Sequence, residues 1–192
     1  MSNTNVKILL EELKDTSELM LDLAYSSIFF NNKEIAEEVM LLYEKIKSVE
    51  ENLYMHLFSA SRGTYNSKLI SLIDIVESTK NIANAAKNLA NLVIDGRELH
   101  PVIKEAIEDS DELISRVTIG ENSSAINKTL RELGEKLAVN MIAIRRKKEK
   151  EYKWIFDPKI DTKILAGDTI IIVGHESACN TLKQLLQQTD DQ

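Results

Sequence analysis

The sequence predicts two domains, an all-α antiparallel helical bundle followed by a small α+β domain. Over most of residues 6–94, apolar residues recur at intervals of three and four, the pattern of amphipathic helices. In contrast, residues 140–174 contain β-branched runs bounded by turn signals, the pattern of short strands. We therefore expect a helical domain at residues 1–113 and an α+β domain at residues 114–192.

Three long helices are predicted in the first domain, at residues 6–30, 33–60 and 67–94. Asn31 and Asn32 interrupt the helical pattern after the first, and Gly63 and Gly96 follow the second and third. The buried face of the third helix is predicted to contain Leu72, Ile75, Val76, Thr79, Ala83, Ala86, Ala90 and Val93. Pro101 is tolerated in a first turn and is expected to start a fourth helix, residues 102–115. Short connections between long helices predict an up-down bundle.

The second domain is predicted to fold in the order βαβββα, with strands at residues 116–119, 141–144, 154–156 and 169–173 and helices at residues 128–137 and 177–187. Thr129 and Glu132 have the spacing of a capping box. Pro158 cannot donate to a strand ladder, so it is expected to end the third strand or to lie on an edge. Because a small domain with an open sheet needs a partner to cover it, we expect a homodimer.

Composition and charge narrow the classes of function. The net charge of −7 disfavours nonspecific nucleic-acid binding, which relies on Lys and Arg against phosphates. A lone cysteine, Cys179, excludes an internal disulfide and fits a cytoplasmic protein. No apolar run has the length of a transmembrane helix, so we expect a soluble protein without direct membrane insertion.

Carboxylates in the first domain are the candidate metal ligands. Four of them, at intervals of four, three and four, lie on one stripe of the first helix: Glu11, Asp15, Glu18 and Asp22. The third helix carries a second polar stripe of Asp74, Glu77, Asn81, Asn84 and Asn88. Carboxylate oxygens suit hard divalent cations, whereas amides bring no charge. The alternative is that both stripes are solvated helix faces.

Basic residues at the end of the second predicted strand are the candidate ligand-binding group. Arg145 and Arg146 suit phosphate recognition because a planar guanidinium engages two oxygens. With Asn140 and Pro158, they are expected to line a groove for an anionic ligand at the dimer interface. The alternative is a solvated turn of charged residues. Trp154, the only tryptophan, is expected in the core or at the dimer interface.

The segment VESTKNIANAAKNLA at residues 76–90, followed by ELHPV at residues 98–102, resembles the third helix and exit of a PhoU-type domain. The resemblance covers about residues 6–115 and implies a three-helix bundle. It also implies acidic clusters that bind multinuclear metal centres. This chain keeps Glu77 but has Asn81 and Asn84 in the polar stripe.

Four blocks resemble a TrkA C-terminal (RCK_C) domain: TLREL at 129–133, VNMIAIRR at 139–146, FDP at 156–158 and LAGDTIIIVG at 165–174. This resemblance covers about residues 115–187. It implies a cytosolic and usually dimeric regulatory module of potassium or other cation transport. Some members of the family bind a small ligand, including cyclic di-adenosine monophosphate, at the dimer interface.

These observations predict a non-enzymatic, ligand-sensing regulatory subunit of a cation transport system, such as one for potassium. Its expected partners are a membrane channel or transporter and a second copy of the chain, without nucleic acid. The expected cofactor is a divalent metal or a cyclic dinucleotide. The alternative function is a PhoU-like, metal-binding adaptor in phosphate-transport signalling. No nucleophile and base are arranged around His175, so no enzymatic activity is expected.

Overall fold

The chain divides into two compact units, Met1–Leu99 and His100–Gln192. A computed structural model describes residues 6–60, 67–97, 100–134, 137, 139–149 and 151–187. The first unit is helical in its described residues, and the second contains a four-stranded sheet. The predicted fold class, a helical bundle followed by an α+β domain, is confirmed.

Three helices that pack against one another form the first unit: α1 (Val6–Phe30), α2 (Lys33–Ala60) and α3 (Ser67–Ile94). Asn31 has a positive φ of 47° directly after α1. Asn32 then caps α2, because its Oδ1 accepts a hydrogen bond from the Ile35 backbone N at 3.1 Å. Two residues join these long helices, so α1 and α2 run antiparallel, as predicted.

The core of the first unit contains large side chains from α1 and α2 that are at most 2% exposed: Leu13, Met20, Leu23, Ile28, Ile35, Ile46 and Leu53. On α3 the predicted buried face is confirmed for Val76, Val93 and the three alanines between them. The prediction for Ile75 is wrong, because its side chain is 53% exposed. Ile75 lies about 100° round the helix from Val76, beyond the face that α1 and α2 cover.

The sheet of the second unit has the order β1-β4-β2-β3, and all neighbouring strands are antiparallel. Its strands are β1 (Glu112–Thr118), β2 (Val139–Lys148), β3 (Glu151–Phe156) and β4 (Thr169–His175). A register shift lies between Met141 and Ala143 where β2 pairs with β4. β3 is an edge strand and ends before Pro158, as predicted from the missing proline donor.

Helix α6 (Glu176–Gln187) packs against β1 and β4 and covers one face of the sheet. The core beneath it contains Ile144, Ile170 and Ile172 from the strands, and Cys179, Leu182 and Leu186 from α6. Burial raises the pKa of the Cys179 thiol, which favours the neutral, unreactive form. Among the helices that the structure describes, none has both the length and the apolar character needed to cross a membrane.

Two helices in the second unit are shorter than predicted. Helix α4 (Val102–Glu108) ends seven residues early, because the chain from Glu112 onward pairs with β4 as strand β1. The Ser110 hydroxyl donates to the carbonyls of Ile107 and Glu112 at 2.8 and 2.6 Å, which stabilises the reversal. Helix α5 (Leu130–Gly134) lies within the predicted range of residues 128–137.

Candidate ligand site on the sheet

The face of the sheet opposite the core of α6 is called here the outer face. Ile171 and Val173 alternate along β4 with the core residues Ile170 and Ile172, so they point to this outer face. Side chains that pair across strands share a face. The register therefore places on the outer face Ile114, Arg116 and Thr118 of β1, Asn140, Ala143 and Arg145 of β2, Tyr152, Trp154 and Phe156 of β3, and Thr169, Ile171 and Val173 of β4.

Arg145 is the central cation of this face. It pairs with Trp154 across β2 and β3, and its Cζ lies 4.7 Å from the centroid of the Tyr152 ring. The side chain is half-buried. Its Nε is buried and has no hydrogen-bond acceptor among the residues that the structure describes. Because an unsatisfied buried donor is costly, this N–H is suited to an acceptor that a ligand would bring.

Aromatic rings flank Arg145. The rings of Trp154 and Phe156 are stacked, with centroids 5.7 Å apart and an interplanar angle of 16°, and both side chains are half-buried. Tyr152, on the same side of β3, is 50% exposed. A cation beside aromatic faces can engage a phosphate and stack a base at the same time. The outer face therefore has the chemistry to hold an anion that carries a flat ring.

Arg146, the neighbour of Arg145, points to the opposite side of the strand. Its Nε and Nη2 donate to the two carboxylate oxygens of Asp168 at 2.8 and 2.6 Å, and Nη2 also donates to the Lys163 carbonyl at 2.7 Å. Asp168 is 1% exposed and also accepts from the Leu165 backbone N at 2.8 Å. The hydrogen bonds to Asp168 raise the pKa of Arg146. The structure thus separates Arg146 from Arg145 and engages it in an internal ion pair.

The other two predicted ligand residues lie towards the same end of the sheet, the end of β2 that is far from Lys148. Asn140 is exposed and pairs with Val173, so it shares the face with Arg145. Pro158 is buried just beyond the end of β3, after Asp157, whose φ is 46° and whose backbone N donates to the Ile142 carbonyl at 3.1 Å. Of the predicted set, Asn140 and Arg145 are brought to one surface by the sheet.

The predicted metal ligands of α1 are mostly engaged with lysines. Glu11 pairs with Lys7 at 3.4 Å, and Lys14 lies 3.4 Å from Asp15 and 2.9 Å from Glu18. Asp22 is half-buried farther along α1. Within the described parts of the chain, no three His, Cys, Asp or Glu side chains are grouped so that they could hold a metal ion. A metal site on these residues stays a prediction.

Glu77, the remaining predicted metal ligand, contacts α2. The Tyr54 hydroxyl donates to its carboxylate, and burial, together with this carboxylate, raises the pKa of Tyr54. Next to it, Lys80 donates to the buried Glu50 at 2.7 Å. Tyr43 similarly donates to Asn84 at 2.8 Å. Part of the polar stripe on α3 therefore forms the polar contact between α3 and α2.

Three functional candidates escaped prediction from the sequence: Tyr152, Phe156 and Arg116 of the outer face. The aromatics at every second position of β3, Tyr152, Trp154 and Phe156, were the available signal, because residues i, i+2 and i+4 of a strand share a face. The predicted strand began at Trp154, which hid this alternation. The partner of Arg146, Asp168, lies 22 residues away in sequence, and no local pattern indicates the pairing.

Comparison with known families assigns both halves of the chain. Residues 10–93 match the PhoU domain family, and residues 114–187 match the TrkA-C domain family. The chain carries a PhoU domain followed by a TrkA-C domain. The predicted resemblances are thus confirmed, and every residue of the outer face lies within the TrkA-C match.

Solved structures with similarity to this chain include three complexes. One is the RCK_C domain dimer of S. agalactiae BusR with c-di-AMP, 25% identical, with a TM-score of 0.33, covering 38% of this chain and 93% of that one. Another is the RCK C domain of the potassium transport protein KtrA with c-di-AMP. It is 23% identical, with a TM-score of 0.32, and the match covers 42% of this chain and 87% of that one. The third is S. agalactiae BusR with its busAB-promotor DNA. It is 15% identical, with a TM-score of 0.32, and the match covers 96% of this chain and 98% of that one. No curated protein matches the chain.

Proposed function

We propose that this protein is a non-enzymatic, ligand-sensing regulatory subunit of a cation transport system, with potassium as the ion and a membrane channel or transporter as its partner. The match of residues 114–187 to the TrkA-C domain supports the regulatory role. The observation that carries the ligand-sensing role is Arg145, whose buried Nε has no acceptor among the described residues and whose guanidinium lies over Tyr152.

The ligand class follows from the chemistry around Arg145. A guanidinium fork recognises phosphate oxygens, and the Trp154 and Phe156 rings beside it offer stacking surfaces for bases. A cyclic dinucleotide combines both groups in one molecule. Because the BusR and KtrA domains were solved with c-di-AMP, this dinucleotide is the first ligand to test.

A homodimer through the outer face fits the same ligand. In a dimer with two-fold symmetry, the two copies of Arg145 are related by the symmetry axis. A cyclic dinucleotide of two identical nucleotides has the same two-fold symmetry, so each phosphate would face one Arg145. The exposed aromatic side chain on this face, Tyr152, would support the contact between copies.

Thermal unfolding of the full chain with c-di-AMP tests this proposal. A ligand that binds only the folded state stabilises it by about 2.7 kcal/mol at one hundred times its Kd, so the midpoint should rise by several degrees. The Arg145→Gln variant should lose most of this rise. Lys153→Gln is the matched control, because Lys153 pairs with Arg146 and so lies on the other side of β3. The proposal fails if millimolar c-di-AMP gives no rise or if Arg145→Gln keeps the full rise.

The PhoU match supports a second candidate, a metal-binding adaptor in phosphate-transport signalling. Its ligands would be Glu11, Asp15, Glu18 and Asp22, with Glu77. Metal analysis of the purified protein, with a Glu11→Ala/Asp15→Ala variant as control, tests it. Stoichiometric metal that this variant loses would support the adaptor. Absence of metal, with no change in stability on adding divalent cations, would reject it.

A further inference from the structure

A second heptad stripe runs along α3 outside the core of the bundle. Its positions alternate by four and three residues: Ser71, Ile75, Ser78, Ile82, Ala85, Leu89 and Leu92. The side chains of Ile75 and Ile82 are 53% and 45% exposed, Ser71, Ser78 and Ala85 are also exposed, and the two leucines are half-buried. A seam with this spacing is typical of helices that pack against another helix along their length.

The buried face of α3 has the same spacing, shifted by one residue, and it packs against α1 and α2. The second stripe begins at Ser71 and spans about 32 Å of helix. It therefore lies beside the face of α3 that α1 and α2 already cover. In the described part of the chain, its two isoleucines are exposed and its two leucines are half-buried. Exposed apolar side chains that recur along one line of a helix indicate an interaction surface.

We propose that this stripe packs against the same stripe of a second copy of the chain, with the two α3 helices antiparallel. The size pattern of the stripe indicates this occupant. Large residues, Ile75, Ile82 and Leu89, alternate with small ones, Ser71, Ser78 and Ala85. With a two-fold axis between Ser78 and Ile82, Ser78 faces Ile82 of the second copy, Ile75 faces Ala85, and Ser71 faces Leu89. Ile75, Ile82 and Leu89 then each meet a small side chain, whereas Leu92, at the end of the stripe, lies beyond these pairs.

A parallel pair would not pack as well. It would place isoleucine against isoleucine and serine against serine at successive levels. The serine levels would then leave voids between the helices, which close-packed contacts avoid. The alternation of sizes along the stripe therefore favours the antiparallel arrangement, and a two-fold contact of this kind uses the same patch on both copies.

Polar residues beside the stripe fit the same register. Asp74, Asn81 and Asn88 are exposed and lie along one edge of the stripe at intervals of seven. In the antiparallel pair, Asp74 faces Asn88 of the second copy and the two copies of Asn81 face each other. An amide can donate to the carboxylate, and no like charges meet. The Ser78 hydroxyl already donates to the Asp74 carbonyl at 2.7 Å, so its burial leaves no donor unpaired.

This contact uses the PhoU domain and none of the outer-face residues, so it goes beyond the proposed ligand site. Cross-linking of the full chain tests it. Asn81→Cys places one thiol beside the two-fold axis, and the native Cys179 is buried. With a short bifunctional maleimide, Asn81→Cys should give several times more covalent dimer than Ser48→Cys, an exposed control position on α2. Peptide mapping should show residue 81 joined to residue 81.

A second variant tests the register. Adding Ile82→Glu to Asn81→Cys should reduce the covalent dimer to the Ser48→Cys yield, because it places a carboxylate against Ser78 of the second copy. Position 82 is partly exposed, so the far-UV circular dichroism spectrum should not change. Equal yields for Asn81→Cys and Ser48→Cys, or no effect of Ile82→Glu, would overturn the proposal. So would a dimer that links through Ile82→Cys but not through Asn81→Cys, because that is the parallel arrangement.

Discussion

Two adjacent arginines in this protein have different roles because consecutive side chains of a strand point to opposite sides. Arg145 lies on the outer face over Tyr152, with a buried donor that has no acceptor in the described structure. Arg146 forms two hydrogen bonds to Asp168, which is 1% exposed. At the scale of single residues, Arg146 stabilises the fold, and Arg145 is the residue that we propose for ligand binding.

This division predicts opposite effects of matched substitutions. Arg146→Met should lower the free energy of unfolding of the TrkA-C domain by about 3–5 kcal/mol, because it leaves the Asp168 carboxylate buried without its cation. Arg145→Met should change it by less than about 1 kcal/mol, because it breaks no ion pair among those that the structure describes and leaves no buried charge. Urea unfolding followed through the fluorescence of Trp154, the only tryptophan, measures both. Equal losses for the two variants would contradict the assignment.

The elements of the second unit are determined by both local signals and pairing between strands. Helix α5 begins at a capping box: the Thr129 backbone N donates to Glu132 Oε2 at 2.6 Å, and the Glu132 backbone N donates to Thr129 Oγ1 at 3.3 Å. This prediction from residue spacing is confirmed. Strand β1 depends instead on pairing between strands. Its first residues were predicted to end the helix at residues 102–115, but in the structure they pair with β4.

The capping box predicts a pH dependence of stability. The hydrogen bonds from the Thr129 backbone N and hydroxyl lower the pKa of Glu132 from its ordinary value of 4.5. A lowered pKa contributes stability that is present above pH 4.5 and is lost as the pH falls through the folded-state pKa. Glu132→Ala should therefore lower the melting temperature at pH 7, and the difference from the unsubstituted protein should shrink below pH 4.5. A difference that is constant from pH 7 to pH 3 would contradict this account.

At the scale of the whole molecule, the position of the domain boundary is open to test. The sequence predicts a boundary between residues 113 and 114, whereas the compact units divide between Leu99 and His100. Helix α4 contacts β1, and Glu112 and Leu113 pair with His175 and Gly174. A fragment that begins at residue 114 therefore lacks the start of an edge strand.

We expect a fragment of residues 100–192 to unfold at a higher temperature than a fragment of residues 114–192. The shorter fragment loses the β1 pairing of Glu112 and Leu113, the packing of Leu113 against the core, and helix α4. Circular dichroism melting of both fragments measures the difference. Equal melting temperatures would place the boundary where the sequence predicts it.

Two interfaces between copies are proposed for one chain, the outer face of the TrkA-C domain and the second stripe of α3. They use different residues, so Arg145→Gln and Ile82→Glu should act independently on ligand binding and on cross-linking. The exclusion of nucleic acid from the partners stays a prediction that rests on the net charge of −7.

The sequence by itself determined the three helices of the bundle, the βαβββα order and the family of each half. These depend on local periodicity, caps and turn residues, which short segments express without knowledge of the rest of the chain. The capping box of Thr129 and Glu132 is the clearest case.

The tertiary structure alone decided which side chains come together. Whether Arg145 or Arg146 faces a ligand depends on strand register, and the partner of Arg146 lies 22 residues away on a turn before β4. Ile75 is likewise exposed because it lies outside the part of the α3 surface that packs against α1 and α2. Periodicity defines the faces of a helix or strand, but only packing decides which face is buried and which remains open to a ligand or a second copy.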